Sequence, residues 1–270
     1  MTTPATTSGV VDARCSTFVV PAESYDRLVG RYLPSLGPAF ADAAGIGPGM
    51  RVLDVGCGPG GLTTVLAQRC GAAQVAAVDP SAPFVQACRD RVPGVEVRQG
   101  VAEDLPYGPS EFDATLACLV VGFMRDPERG VREMLRVTRP GGTVAACFWD
   151  LDRMPVLEIF WSAARALDPS ISGEVRRPGG GKGELAALLA QAGVADVREG
   201  TINAHSDYTG FADWWSAYSL GVGPTGAYYR SLTETQRESL RAACHDRLDR
   251  PQGGFTLHAT CWFAAGTATT

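Results

Sequence analysis

The residue types and spacing richest in chemistry lie in Arg51-Val-Leu-Asp-Val-Gly-Cys-Gly-Pro-Gly-Gly61. Gly56, Gly58 and Gly60 have no Cβ, so the backbone there can turn sharply and approach a ligand closely. An apolar run, Val52 to Val55, precedes the loop, and a helix beginning near Leu62 follows it. The free N–H groups and positive dipole end of that helix point back at the glycines. Asp79 ends the next apolar run, one βαβ unit downstream, where a carboxylate can accept hydrogen bonds from both hydroxyls of a ribose. Its competing role, within Asp79-Pro-Ser-Ala-Pro83, is to cap the next helix. Together these residues describe a pocket for a nucleoside-containing small molecule. Gly56, Gly58 and Gly61 also satisfy the dinucleotide fingerprint, so the glycines alone do not separate NAD from other nucleosides. Asp54, two residues before the first glycine, is a poor neighbour for a pyrophosphate and suits a ligand carrying an ammonium and a sulfonium. Gly100-Val-Ala-Glu-Asp-Leu-Pro106 offers a small residue and an acid to an adenine edge.

Positioning these residues requires a parallel sheet. Strands are predicted at 51–55, 74–78, 95–98, 113–119 and 143–148, with helices at 61–70, 82–91 and 127–138 between them. Near-continuous apolar strands in βαβ alternation imply an α/β Rossmann-like sheet with helices on both faces. Before the glycine loop, residues 1–14 read as a flexible arm and Ala22 to about Ala44 as a helix with a break near Pro34. Beyond Trp149 come a helical piece from Met154 to about Leu167, a Gly-rich break at 179–183, a helix from Glu184 to Ala192 and a strand at 194–204. An aromatic-rich stretch follows, then a helix over Thr233–Leu248 with Thr233-Glu-Thr-Gln236 as a capping box, and a last strand at 255–264. The expected organisation is an N-terminal arm and helix at 1–44, a nucleoside-binding core at 45–149 and a C-terminal part at 150–270 of the same domain.

Composition narrows the partners. The 270 residues are 45% hydrophobic and 20% charged, as in a soluble globular protein with a full core. A formal net charge of −5 disfavours a partner held by phosphate neutralisation, so no nucleic acid is expected. Lys182 is the sole lysine, which leaves little for lysine catalysis. The eight cysteines, at 15, 57, 70, 88, 118, 147, 244 and 261, show no CxxC pair and read as reduced thiols, with no metal expected. The first residues lack a basic region followed by an apolar run, and no segment reaches the roughly 18 apolar residues of a membrane span. The expectation is therefore a cytoplasmic protein, monomeric or homodimeric.

Val52-Leu-Asp-Val-Gly-Cys-Gly-Pro-Gly60, Val78-Asp-Pro-Ser81, Ala102-Glu-Asp-Leu-Pro106, Phe112-Asp-Ala114 and Leu135-Arg-Val-Thr-Arg-Pro-Gly-Gly142 together resemble the class I S-adenosylmethionine-dependent methyltransferases. The similarity is greatest to the small-molecule branch that includes the ubiquinone and menaquinone C-methyltransferases, and it covers residues 22–150 in order and spacing. It implies a seven-stranded, mostly parallel sheet with the last strand antiparallel, a lid within 1–44, insertions at 150–182 and 205–252 that cap the pocket, and S-adenosyl-L-methionine as cofactor. It also implies site roles. Gly56 and Gly58 would meet the methionyl part, Asp79 the ribose, Pro80 and Phe84 the adenosine, and Ala102 and Glu103 the adenine. Cys118 would line the methionyl part through its backbone. The helix before the first strand lies over the cofactor in relatives, which nominates Tyr25 and Arg31, the latter against the methionyl carboxylate.

Methyl transfer is an in-line displacement, so the protein contributes mostly positioning and exclusion of water. A general base is needed only where the acceptor must lose a proton. His205, following the sixth strand, is the first candidate for that base, with Asp150 beside it at the end of the fifth; His245 and His258 read as structural. Trp149, Phe123 and the aromatics Tyr208, Trp215 and Tyr218 are candidate walls for the acceptor, although an aromatic stripe is more often the core of a cap. Cys118-Leu-Val-Val121 stands where nucleic-acid amino-methylases carry an Asn-Pro-Pro-Tyr-like tetrad, and no Pro-Cys pair exists for attack on cytosine C5. The reading is methyl transfer to O, N or C of a small, aromatic or hydrophobic acceptor. The alternatives are an NAD(P)-dependent oxidoreductase, for which Lys182 is poorly placed, and a non-methylating catalyst or binding protein that keeps the pocket.

Overall fold

Val52–Val55 forms β1, the central strand of the sheet, with all four residues buried. The computed structural model describes residues 22–171, 173 and 176–269. The other strands are β2 (Val75–Asp79), β3 (Glu96–Gln99), β4 (Phe112–Cys118), β5 (Thr138–Trp149), β6 (Ala195–Tyr208) and β7 (Phe255–Thr267). The helices are α1 (Ala22–Leu28), α2 (Leu33–Ala43), α3 (Gly61–Cys70), α4 (Ala82–Arg91), α5 (Pro127–Val137), α6 (Pro155–Leu167), α7 (Glu184–Gln191), α8 (Phe211–Ser219), α9 (Gly223–Ser231) and α10 (Glu234–Arg247). The seven-stranded sheet has the order β3-β2-β1-β4-β5-β7-β6. Only β7 runs antiparallel to its neighbours, β5 and β6. Winding reverses between β1 and β4, so the crevice for a ligand opens at the carboxyl ends of these strands.

The period-2 alternation of β1 sorts its side chains between the two faces. Val52 joins a core with Leu36 and Phe40 of α2, Leu62 and Leu66 of α3, and the aromatic helices of the C-terminal part. Leu53 and Val55 join the opposite core, with Val131 and Met134 of α5 and Leu185 and Leu189 of α7. Val85 and Cys88 of α4 pack on Ala77 and Val97. These layers are the expected α/β sandwich.

Three local readings are refined. The helix predicted over 22–44 is two helices joined by a 3₁₀ turn at Gly30–Tyr32. Its break falls ahead of Pro34, because proline in the first turn of α2 sacrifices only an N–H that has no partner there. β6 runs to Tyr208 and β7 to Thr267, because each satisfies the other's backbone along an antiparallel ladder. His205 and Tyr208 therefore belong to a strand, not to an insertion. The capping box holds: the Thr233 N–H donates to Gln236 Oε1 at 2.8 Å, and the Gln236 N–H donates to Thr233 Oγ1 at 3.3 Å. The seven cysteines from Cys57 onward are free and buried, and Cys15 lies outside the described residues.

Candidate active site

The glycine loop is held by its own backbone. Gly56 has φ +73°, and its N–H donates to Val78 O at 2.7 Å. A Cβ there would stand 2.4 Å from Val120 Cγ2, so no larger residue fits without displacing the β4 connection. Gly58, at φ +53°, turns its N–H onto Asp79 Oδ2 at 2.9 Å. Asp79 Oδ1 accepts the Ser81 N–H at 2.8 Å, an Asx-type turn into α4. Asp79 thus braces the turn into α4 and also lines the cavity. Burial pushes its pKa up, against the pull of the two N–H donors.

Asp54 is 1% exposed. Its Oδ2 accepts a hydrogen bond from Thr63 Oγ1 of α3 at 2.7 Å, and its Oδ1 is buried with no hydrogen-bond partner among the described residues. Burial raises this carboxyl from the ordinary 3.8 to about 7. It borders a void of about 20 Å³ shared with Tyr25, Gly56, Gly58 and Cys118. A buried acceptor of this kind invites a donor or a cation.

A cavity of about 520 Å³ runs along the carboxyl edge of the sheet. On the side of β2 and β3 it is lined by Asp79, Pro80, Ser81, Phe84, Ala102 and Glu103; across its middle by Tyr25, Gly56, Gly58 and Cys118; and toward β5 by Phe123, Phe148, Trp149, Leu151, Met154 and Leu157, with Val222 to Thr225 from the start of α9. Its volume lies within the roughly 300–1,000 Å³ usual for small-molecule sites. Tyr25 packs on Phe84, ring centroids 5.7 Å apart, and burial drives its phenol far above the ordinary range. Glu103 Oε1 accepts the backbone N–H groups of Arg125 at 2.7 Å and Asp126 at 3.2 Å, which fixes the carboxylate at the wall. The Cys118 and Cys147 sulfurs are 3.5 Å apart, and that contact together with burial keeps the Cys118 thiol protonated.

Other nominated residues lie elsewhere. Arg31 is outside the cavity: its Nε donates to Ser206 Oγ at 2.8 Å, its Nη2 reaches Asp207 O at 2.6 Å and Asp213 Oδ2 at 3.1 Å, and its guanidinium lies 3.8 Å over the Tyr208 ring. It clamps β6 and α8 to the turn after α1. Tyr208 stacks on Phe255 at 5.2 Å. Tyr218 is fully buried, stacks on Phe160 at 4.5 Å and donates to Val156 O at 2.5 Å. Trp215 packs against Phe160, Phe211 and Tyr229. Trp215 and Tyr218 are packing between the cap helices, which bury their largest apolar surfaces against one another, and Tyr208 packs at the end of β6. His205 is exposed on β6, its backbone bonded to Ser35 and its ring 6.0 Å from that of His258. Asp150 is buried beside the cavity rather than in its wall, with its N–H on Thr260 O at 2.9 Å and its carboxylate 3.9 Å from Arg153 Nε. Among the described residues no histidine lines the cavity. The cap-side walls that sequence reasoning missed are Leu28, Met154, Leu157 and Val222–Thr225. A signal for the last was present: Gly223-Pro224 is a helix start with proline in the first turn.

Comparison with known proteins fits this geometry. Residues 53–146 match a family described as a methyltransferase domain. An uncharacterized protein of Mycobacterium tuberculosis is 33% identical over 129 residues, covering 46% of each chain. The demethylmenaquinone methyltransferase of Desulfitobacterium hafniense is 32% identical over 115 residues, covering 40% of this chain and 46% of that protein. The chain therefore spans under half the length of these curated relatives. In structure, the YcgJ protein of Bacillus subtilis superposes with a TM-score of 0.54 at 19% identity, over 88% of this chain and 99% of that one. Residues 53–146 are thus similar to a methyltransferase domain, and the chain shares the α/β fold of that solved structure. Among the described residues no helix is long and apolar enough to cross a membrane, and no group of three or more His, Cys, Asp or Glu side chains could hold a metal.

Proposed function

We propose that this protein transfers a methyl group from S-adenosyl-L-methionine to O, N or C of a small, aromatic or hydrophobic acceptor held beneath the cap. One observation carries the reading: a single cavity joins the Asp79 carboxylate and the glycine loop to the apolar wall of Phe148, Trp149, Met154 and Leu157. The residues fit the cofactor. Asp79 offers lone pairs to a ribose diol, Glu103 and Ala102 form an adenine edge, and the unpartnered Asp54 Oδ1 suits the cationic methionyl end. When bound, the cofactor supplies an electrophilic methyl on a sulfonium. The chain's own part is positioning and dryness: Gly56 and Gly58 allow close backbone approach, while the cap keeps water from the reacting atoms. His205 and Asp150 are not in the wall, so the geometry gives neither a base role. A net charge of −5 and an apolar cap favour a small molecule over a polynucleotide.

The test is incubation with methyl-labelled S-adenosylmethionine and a panel of hydroquinones, phenols and amines, followed by mass spectrometry to locate the label. Transfer to at least one apolar member, lost in Asp79→Ala, is expected. Tight S-adenosylhomocysteine binding with no transfer to panel or cell extract would point instead to a non-methylating catalyst using the same pocket.

A further inference from the structure

We propose that the β6–β7 ribbon carries a two-histidine site for a divalent first-row transition ion, with His205 and His258 as its protein ligands and water completing the coordination. The two residues are register partners on the antiparallel ladder, and both are exposed. The backbone shows which kind of pair they form. β6 is an edge strand of the sheet, with β7 on its inner side. The His205 N–H donates to Ser35 Oγ at 2.9 Å, and the His205 carbonyl accepts from the same hydroxyl at 2.9 Å. Both backbone groups therefore point outward at α2 and away from β7. His205 and His258 are thus a non-hydrogen-bonded pair, the position on an antiparallel ladder where opposed side chains lie closest.

Spacing, support and surroundings fit a metal. The two imidazole centroids are 6.0 Å apart, with planes inclined at 47°. A nitrogen about 2.0–2.1 Å from a zinc ion puts its ring centre about 3 Å from that ion, so two rings sharing one ion have centroids roughly 5–6.5 Å apart. The backbone is held on both strands, β7 between β5 and β6, and β6 between β7 and Ser35. An ion therefore meets a pair that is already oriented, and little ordering opposes its binding. Residues 203, 205 and 207 share one face of β6. The flanking acceptors on that face are engaged across the ladder: Asn203 Oδ1 accepts the Thr260 hydroxyl at 3.3 Å and Asp207 Oδ1 the Thr256 hydroxyl at 2.6 Å. Imidazole is then the ligand type on offer, which suits zinc, nickel or copper rather than calcium or magnesium. The segment between the two histidines, 206–257, contains α8, α9 and α10, so a shared ion closes the base of the cap. The site lies outside the cavity, and the inference stands apart from the methyl-transfer reading.

The chain has three histidines, which makes the test direct. Zinc(II) is titrated into the full chain while the histidine ring signals are followed by NMR. Two of the three signals are expected to shift together and to saturate with one affinity. They are assigned by the loss of one in His205→Gln and of the other in His258→Gln. Each variant should weaken zinc binding by more than the roughly tenfold that loss of a mere outer partner costs a metal site. The third signal, from His245 in α10, should stay in place. Calcium should move none of the three. Zinc should also raise the unfolding temperature of wild type and of neither variant, because an ion bound only by the folded chain stabilises it. The proposal is overturned if zinc moves neither ring of the pair. It is equally overturned if one variant leaves the remaining ring responding at unchanged affinity, if His245 shifts with the other two, or if calcium acts as zinc does.

Discussion

The side of the cavity proposed for the nucleoside, from β1 to β3, is made of backbone turns and strand-end carboxylates, whereas the side proposed for the acceptor, from β5 to α9, is made of side chains on helices that pack mainly on one another. On the first side each functional atom is tied to the sheet: Gly58 N–H to Asp79, Asp79 to Ser81, Asp54 to Thr63 of α3. On the second side Met154, Leu157 and Val222 reach the cavity from helices whose cores are Phe160, Trp214 and Tyr218. The first wall can change little without losing the fold. The second can be repacked around a different acceptor while the sheet stays as it is, as expected of binding residues carried on a rigid scaffold.

The largest predicted effect probes the buried carboxylate of the first wall. Asp54 sits at about 7 in the fold against an ordinary 3.8, so the folded protein holds a proton that the unfolded chain has released. Its stabilising contribution is complete below pH ~4 and is lost as pH rises through about 7, a swing on the order of 4 kcal/mol at ~1.36 kcal/mol per pKa unit. Urea denaturation at pH 4.5 and pH 8 should show wild type losing that stability relative to Asp54→Asn, which cannot titrate. A gap that does not change with pH would break the picture of a desolvated acid behind the loop.

Asp79→Ala comes next. If Asp79 accepts two ribose hydrogen bonds as proposed, each worth about 1.5–3 kcal/mol to a charged group, its removal should weaken S-adenosylhomocysteine binding about 100-fold or more. The variant also frees the Gly58 and Ser81 amides, so circular dichroism should accompany the titration. Asp79→Asn, able to hold one of those amides, should lose less.

Leu157→Ala tests the second wall. Shaving an apolar wall should lower kcat/KM for a good acceptor about tenfold and leave S-adenosylhomocysteine affinity within about twofold. A matching loss on the cofactor side would show that the two walls are not separable. His205→Ala should be the mildest: an exposed strand residue outside the cavity should alter activity by less than about twofold and stability by less than about 0.5 kcal/mol. A large loss of activity with normal folding would restore its candidacy as a base.

How much of this could be read from the sequence follows the same division. The strand ends, the glycine loop and Asp79 were legible because covalent geometry and a two-residue period tie them to one place. The positions of the first five strands and the capping box at Thr233 were legible for the same reason. Arg31, Tyr208, Trp215 and Tyr218 misled because an aromatic or a cation at a plausible position does not say which way it points. In each case a tertiary partner decided: Asp213 and Tyr208 for Arg31, Phe160 for Tyr218, Phe255 for Tyr208. Leu157 and Val222 were invisible because helix packing, not spacing along the chain, brings them to the cavity.

The central claim is that the cavity is a site for S-adenosylmethionine continuous with an acceptor site. Calorimetry of the full chain with S-adenosylhomocysteine and, separately, with NAD tests it most directly. The account predicts one S-adenosylhomocysteine bound per chain, binding abolished or strongly weakened in Asp79→Ala, and no measurable heat from NAD. Tight binding of NAD with none of S-adenosylhomocysteine would contradict it.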